Sequence, residues 1–123
     1  MPMLDQYRGK NRVLLLFAPM RETGAFARID DELSTTQQEA EDRDMKIFRI
    51  LADGKSTVDG EELPEEEAAE LRERFDAPPG RFLLVLIGKD GEVKRREEQH
   101  IPAREIYDQI DQMPMRRREM GEG

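Results

Sequence analysis

Three compact apolar runs stand out along a chain that is otherwise strongly polar. Residues 13–17 read VLLLF, residues 45–51 read MKIFRIL, and residues 82–87 read FLLVLI. Short apolar runs bounded by turn-forming residues are typical of strands buried on both faces of a sheet. We therefore predict three strands, with the first and third at the centre of the sheet.

Between these runs, apolar residues recur at helical spacing. They predict a first helix over about residues 24–42, with Thr23 as its N-cap. Proline and three glutamates predict the start of a second helix over residues 64–75. A closing helix is expected between Pro102 and Pro114. The apolar face of the first helix is formed by Phe26, Ile29, Leu33 and Ala40.

Aspartate-glycine pairs predict the turns. The pair Asp90-Gly91 follows the third strand and favours a tight hairpin into a fourth strand over residues 92–96. That strand carries Lys94, Arg95 and Arg96, which are typical of a protected sheet edge. Two further Asp-Gly pairs lie within residues 52–62, which we expect to be a surface loop.

The predicted order of elements is β-α-β-α-β-β-α. A strand-helix-strand unit requires a parallel pair with a right-handed crossover, and the last two strands form an antiparallel hairpin. This order indicates an α/β, thioredoxin-like fold with a four-stranded mixed sheet and helices on both faces. Another small layered α/β fold with the same elements is the alternative. We expect one soluble domain over residues 1–113 and a loosely ordered tail over residues 114–123.

Composition narrows the chemistry that this fold could perform. The chain has 123 residues, a net charge of -8 and no cysteine. The missing thiol excludes disulfide exchange and thiolate catalysis. Ten acidic and three basic residues between Asp53 and Asp76 argue against binding to nucleic acid or to an anionic membrane. His100 is the only histidine, so we expect no metal site, no cofactor and no catalytic residue. Oligomeric state is not predicted.

Four segments resemble an uncharacterised bacterial family of thioredoxin-like domains of unknown function. They are KNRVLLLFAP (10–19), RD (43–44), LIGKDGEVK (86–94) and IDQMPMRRREM (110–120). This family is related to the peroxiredoxin-like domain of sushi-repeat-containing and coiled-coil-domain-containing matrix proteins. The resemblance implies the fold, while no reaction is established for the bacterial members. Family members are often exported, whereas residues 1–12 show no apolar signal segment.

In thioredoxin-like proteins the reactive cysteines follow the first strand. The corresponding stretch here is Arg21-Glu22-Thr23-Gly24, at the predicted start of a helix, where free N–H groups favour anions. Arg81 precedes the third strand and is expected to face the same region. These five residues form the predicted ligand site. For Thr23, an N-cap role is favoured over a role as nucleophile.

A second candidate surface lies at the C-terminus. Met113, Met115 and Arg116 precede two further arginines, and methionine with arginine suits a docking segment for a protein partner. Alternatively, the methionines close the edge of the core and the arginines complement the helix C-terminus. Together these features predict a non-redox binding module for a protein or peptide. The alternatives are a cysteine-independent enzyme of a peroxiredoxin-like family and a structural self-association domain.

Overall fold

A computed structural model describes residues 3–121 and places one mixed sheet between two helical layers. A short 3-10 helix, Met3–Tyr7, precedes the first strand. The strands are β1 (Arg12–Ala18), β2 (Met45–Leu51), β3 (Ser56–Val58), β4 (Glu61–Leu63), β5 (Leu83–Ile87) and β6 (Val93–Glu97). The helices are α1 (Gly24–Ser34), α2 (Gln37–Asp42), α3 (Glu65–Arg74), α4 (Ala103–Asp111) and α5 (Pro114–Glu119). None of the helices in this described range is long and apolar enough to cross a membrane.

The strand order across the sheet is β4-β3-β2-β1-β5-β6. Strands β1 and β2 are parallel, and every other neighbouring pair is antiparallel. At the centre, Leu15 lies opposite Phe48 on one side and Val85 on the other. The first and third apolar runs thus form interior strands with a neighbour on each side, although β2, rather than β5, shares the middle of the six-stranded sheet with β1.

Alternating side chains of β1 divide the core into two layers. Leu14 and Leu16 pack with the buried faces of α1, α2 and α4. Leu15 and Phe17 point to the opposite face and pack with α3 and the 3-10 helix. Both faces are covered, which is why the central strands lack the polar alternation of a half-exposed sheet.

The prediction of four strands is wrong, because the sheet has six. Most of the segment predicted as a surface loop forms the hairpin β3–β4, which pairs with the outer side of β2. Its turn is formed by Asp59 and Gly60, both of which have positive φ angles (49° and 87°), the combination that a type I′ hairpin turn requires. Each strand has only three residues and no apolar run, so the hydrophobic pattern did not reveal it.

The single helix predicted over residues 24–42 is divided into α1 and α2. Two threonines separate them, and their hydroxyls donate hydrogen bonds back to helix carbonyls. Thr35 bonds the Asp31 carbonyl at 3.1 Å, and Thr36 bonds the Glu32 carbonyl at 2.7 Å. Such local bonds compete with regular helical hydrogen bonding and explain the break.

The segment expected to be a loose tail forms helix α5 over residues 114–119. Pro114 occupies the first turn of helix α5, a position that proline favours, since it has no N–H to lose there. Arg116, within this helix, is buried. Residues 122–123 of the predicted tail lie outside the described residues.

Candidate functional site

The predicted ligand residues lie at one end of the sheet. Register places Phe17 opposite Leu83, so the loop after β1 and the start of β5 meet at the same sheet end. Arg21 and Arg81 belong to these two segments, and both are exposed. Glu22 and Gly24 are exposed as well. The fold therefore brings these residues to a common, solvent-facing end of the sheet.

Thr23 occupies the N-cap position of α1, but its side chain does not cap the helix. Its hydroxyl instead accepts a hydrogen bond from the Met20 amide at 3.3 Å. The hydroxyl thus closes the turn after β1 and is unavailable to the first turn of the helix. The predicted capping bond is wrong, although the predicted position is right.

An open cleft begins at Arg21 and runs beside β2. This cleft has a volume of about 570 Å³ and lies between helices α1 and α2 and the strands β2 and β3. Its floor contains the buried side chains of Leu33, Met45 and Ile47. Of the five predicted ligand residues, Arg21 alone lines it. The remaining lining residues are Asp30, Ser34, Gln37, Ala40, Glu41, Arg49, Thr57, Asp59 and Gly60.

Three charged residues that line this cleft, Asp30, Arg49 and Asp59, already have partners. Arg49 donates to Asp30 at 2.5 Å, which ties β2 to α1. Asp59 lies 3.3 Å from Lys46 Nζ and accepts a hydrogen bond from the Ile47 amide at 3.0 Å. These bonds fix the walls of the cleft and leave its other charges to the solvent.

Two charged side chains of the cleft have no partner among residues 3–121. They are Arg21 and Glu41, whose side chains make no hydrogen bond or ion pair there. The two residues lie near opposite ends of β2. Arg21 follows β1, whose last residue pairs with Leu51 at the end of β2. Glu41 lies in α2, just before β2 begins at Met45. The cleft therefore carries an unpaired cation at one end and an unpaired anion at the other.

His100 and Glu32, whose side chains are of types that often act in catalysis, make structural contacts away from the cleft. His100 Nε2 lies 3.0 Å from Glu32, and the other Glu32 oxygen accepts a hydrogen bond from the Ala103 amide at 2.8 Å. Glu32 thus fastens the start of α4 to α1. Within residues 3–121, no group of three or more His, Asp or Glu side chains has metal-ligand geometry.

The predicted docking segment has a different arrangement from the one expected. Met115 is exposed, while Met113 is half-buried and packs against the core of α1 and α4. Arg116 is only 5% exposed and donates to Asp42 at 2.5 Å and to Asp111 at 3.0 Å. A guanidinium held this way cannot also reach a partner's surface.

Arg116 belongs to an ion-pair cluster of buried arginines and partly exposed acids at the other end of the sheet from Arg21. We call it the arginine network: Arg12, Arg43 and Arg116, with Asp42, Asp111 and Glu119. Arg12 is 1% exposed, and its two terminal nitrogens lie 3.3 and 3.4 Å from Glu119. Arg43 forms a two-point pair with Asp111 at 3.0 and 2.8 Å. Lys89 reaches Glu119 from the β5–β6 turn at 2.5 Å.

Electrostatics of the arginine network favour the charged forms of Glu119 and Asp111. Burial alone would raise the pKa of Glu119, but hydrogen bonds from Lys89 and Arg12 outweigh it and lower that pKa. Burial likewise opposes ionisation of Asp111, and hydrogen bonds from Arg43 and Arg116 lower its pKa below the ordinary value. The network is thus an ionised structural clamp.

Sequence reasoning did not predict ion pairs for Arg12 and Arg43. Arg12 was considered only as a companion of Arg21 in an anion site, but it lies at the opposite end of β1 from the loop that carries Arg21. Arg12 and Arg43 both lie in segments on which the family resemblance rests, namely KNRVLLLFAP and RD. Lys89 and Glu119 lie in the other two segments. All four segments that carry the family resemblance therefore contribute a residue to the arginine network or its ion pairs. Their contact in the folded protein explains why these segments occur together.

The fold belongs to the α/β thioredoxin-like class, in its peroxiredoxin form. Reduced 2-Cys peroxiredoxin of Plasmodium vivax matches with a TM-score of 0.64 and 18% identity, over 88% of this chain and 80% of that one. Thioredoxin peroxidase I of Plasmodium yoelii matches with a TM-score of 0.66 and 16% identity, over 98% of this chain and 81% of that one. At such identities the likeness concerns the fold alone.

The chain belongs to the family described as Domain of unknown function (DUF4174), whose profile matches residues 3–119. It is also 26% identical to coiled-coil domain-containing protein 80 of Danio rerio, over 95% of this chain. The match spans 15% of the length of that fish protein. Family membership and the relation to a coiled-coil-domain-containing protein are thereby confirmed. A bacterial origin and the relation to sushi-repeat proteins stay predictions.

Proposed function

We propose that this domain is a non-redox module that binds an extended peptide segment of a partner protein in the cleft beside β2. The observation that carries the proposal is that two charged side chains without ion-pair partners among residues 3–121, Arg21 and Glu41, lie at opposite ends of one open cleft. The missing cysteine removes the chemistry associated with the fold but leaves its ligand-accommodating surface. A binding role needs only that surface.

The dimensions of the cleft favour a short extended segment. Its floor follows β2 from Met45 to Arg49, and four residues of a strand span roughly 13 Å at about 3.3 Å each. A volume of about 570 Å³ lies within the usual range of ligand sites. The segment would therefore present about five residues to the cleft.

Charge complementarity defines the sequence of that segment. An acidic side chain would lie at Arg21, and a basic side chain four positions away would lie at Glu41. Ser34, Gln37 and Thr57 offer polar contacts to the backbone between them, while Leu33 and Ile47 lie below. Exposed charge pairs contribute more to selectivity than to affinity, so micromolar binding is expected.

Selection of peptides from a random heptapeptide library on the purified domain tests this proposal. Enrichment of an acidic and a basic residue separated by three others would support it. The double variant Arg21→Glu with Glu41→Lys should then select the reversed charge pattern, because both ends of the cleft change sign.

The variant Arg28→Glu is the matched control, since Arg28 is exposed on α1 and does not line the cleft. It should leave the selected pattern unchanged. The same enriched pattern in the wild type and in the double variant would contradict the proposal. Amide chemical-shift changes confined to residues outside the cleft would do the same.

A further inference from the structure

A second, smaller cavity lies on the opposite face of the sheet from the cleft beside β2. It has a volume of about 290 Å³ and is enclosed by the 3-10 helix, the end of α3 and the β5–β6 hairpin. Its apolar lining consists of Leu4, Tyr7, Val13, Phe75, Ile87 and Val93. Leu4, Val13 and Ile87 are buried members of the α3-side core, so the floor of the cavity is anchored in packed structure.

The mouth of this cavity is also apolar. Val93 is 51% exposed at the start of β6, a large exposure for a hydrophobic side chain. Tyr7 and Phe75 are half-buried there. Apolar surface that continues from a buried floor to an exposed rim is typical of a ligand site.

Two guanidinium groups line the same cavity and have no acidic partner among residues 3–121. Arg8 rests on the hairpin turn so closely that a Cβ added at Gly91 would lie 2.7 Å from its Nε. Arg74 lies 5.5 Å from the centre of the Phe75 ring. Asp5 also lines the cavity but forms no ion pair with either arginine. Both arginines are exposed and line the cavity, so their charges are available to a ligand.

We propose that this cavity binds a small amphipathic monocarboxylate, with the apolar body inside and the carboxylate at Arg8 and Arg74. Guanidinium groups match carboxylates in geometry and charge. The space equals roughly ten water molecules at about 30 Å³ each, which corresponds to a ligand of about ten non-hydrogen atoms. The proposal stands on residues distinct from those of the peptide cleft and does not depend on it.

Octanoate, with an eight-carbon chain and one carboxylate, is the probe of choice. Titration of the isotope-labelled domain should give saturable amide shifts at Leu4, Tyr7, Val13 and Ile87. Shortening the chain to hexanoate should weaken binding about fourfold per methylene removed. Octanol lacks the charge and should bind at least tenfold more weakly than octanoate.

Three variants test the assignment of roles. Arg8→Gln and Arg74→Gln should each weaken octanoate at least fivefold, and Val93→Glu should do so by placing a negative charge at the rim. All three sites are at the surface, so the fold should persist, which circular dichroism checks. Arg28→Gln, on the far face of the sheet, is the control and should bind octanoate like the wild type.

Equal affinity for octanol and octanoate would overturn the role of the arginines. Shifts that cluster on the α1 and α2 side of the sheet would overturn the site itself. Absence of saturable octanoate binding in the millimolar range would overturn the ligand class. None of these outcomes would bear on peptide selection in the cleft beside β2.

Discussion

Replacing Glu119 with glutamine tests whether the arginine network holds helix α5 on the sheet. The carboxylate of Glu119 lies 3.3 Å from Arg12, 2.5 Å from Lys89 and 3.6 Å from Arg116. Glutamine keeps the shape of the side chain but removes its charge. The almost fully buried Arg12 would then keep its positive charge without an acidic partner.

The expected loss of stability follows from these distances. Two unit charges 3.3 Å apart attract by roughly 5 kcal/mol at an effective dielectric constant of about 20. Glu119 keeps 26% of its side chain exposed, so solvent screening reduces this figure. We expect a decrease of about 2 kcal/mol in the free energy of unfolding, and a fall in melting temperature of roughly 8 °C.

Urea denaturation followed by circular dichroism measures this change. Glu70→Gln is the control, because Glu70 is exposed on α3, and it should alter stability by less than about 0.5 kcal/mol. A similar small effect for Glu119→Gln at pH 7 would refute the structural role of the network.

The same comparison has a defined pH dependence. Glu119 has a folded-state pKa below its ordinary value of 4.5. Its contribution to stability is therefore fully present above about pH 4.5 and is lost as the pH falls through the lower, folded-state pKa. The stability difference between wild type and Glu119→Gln should shrink between pH 5 and pH 2. A difference that stays constant over this range would show that the carboxylate charge is not its source.

Three further predictions concern the core, the chemistry and one buried hydroxyl. Leu84→Asp should prevent folding, because it places a charge at a fully buried site in β5; a soluble variant with an unchanged melting temperature would contradict the packing. The purified domain should not turn over hydrogen peroxide or insulin disulfides in metal-free buffer, since it has no thiol; rates above the buffer control would show another redox group. Tyr107→Phe should cost about 1 kcal/mol of unfolding free energy, because Tyr107 shares a 2.6 Å hydrogen bond with Thr36; thermal melts of both proteins measure it, and unchanged stability would refute that bond.

The central fold was predictable because its signals are local. The buried strands β1 and β5 are continuous apolar runs, and only a strand covered on both faces has that pattern at this length. Helix α3 was located closely, since proline and glutamates begin it and prolines follow it. Each of these features depends on only a few consecutive residues.

The hairpin β3–β4 was not predictable in the same way. Its strands have three residues each, and they are stabilised by pairing with β2. A strand held by its neighbour needs no apolar pattern of its own. Its Asp59-Gly60 turn was visible in the sequence, but the pairing partner was not.

Of the five residues predicted to form the ligand site, Arg21 alone lines the cleft beside β2. Arg21 at the end of β1 was identified because topology places that loop beside a helix start. Glu41, its counterpart across the cleft, follows from how α2 packs against β2, which residue spacing does not reveal. In the same way, Arg8 and Arg74 are far apart in the chain and meet only at one cavity.

The sequence by itself determined which segments are buried and which chemistry is absent. Tertiary structure decided which charges face solvent and which are clamped inside, as the C-terminal arginines show. Arg116 is of a residue type that suits docking to a partner. In the folded chain, however, it pairs with Asp42, which is 74 residues away in sequence, and with Asp111. The physical reason is that burial of an apolar run depends on its own residues, whereas the fate of a charge depends on the partners that folding brings within a few ångströms of it.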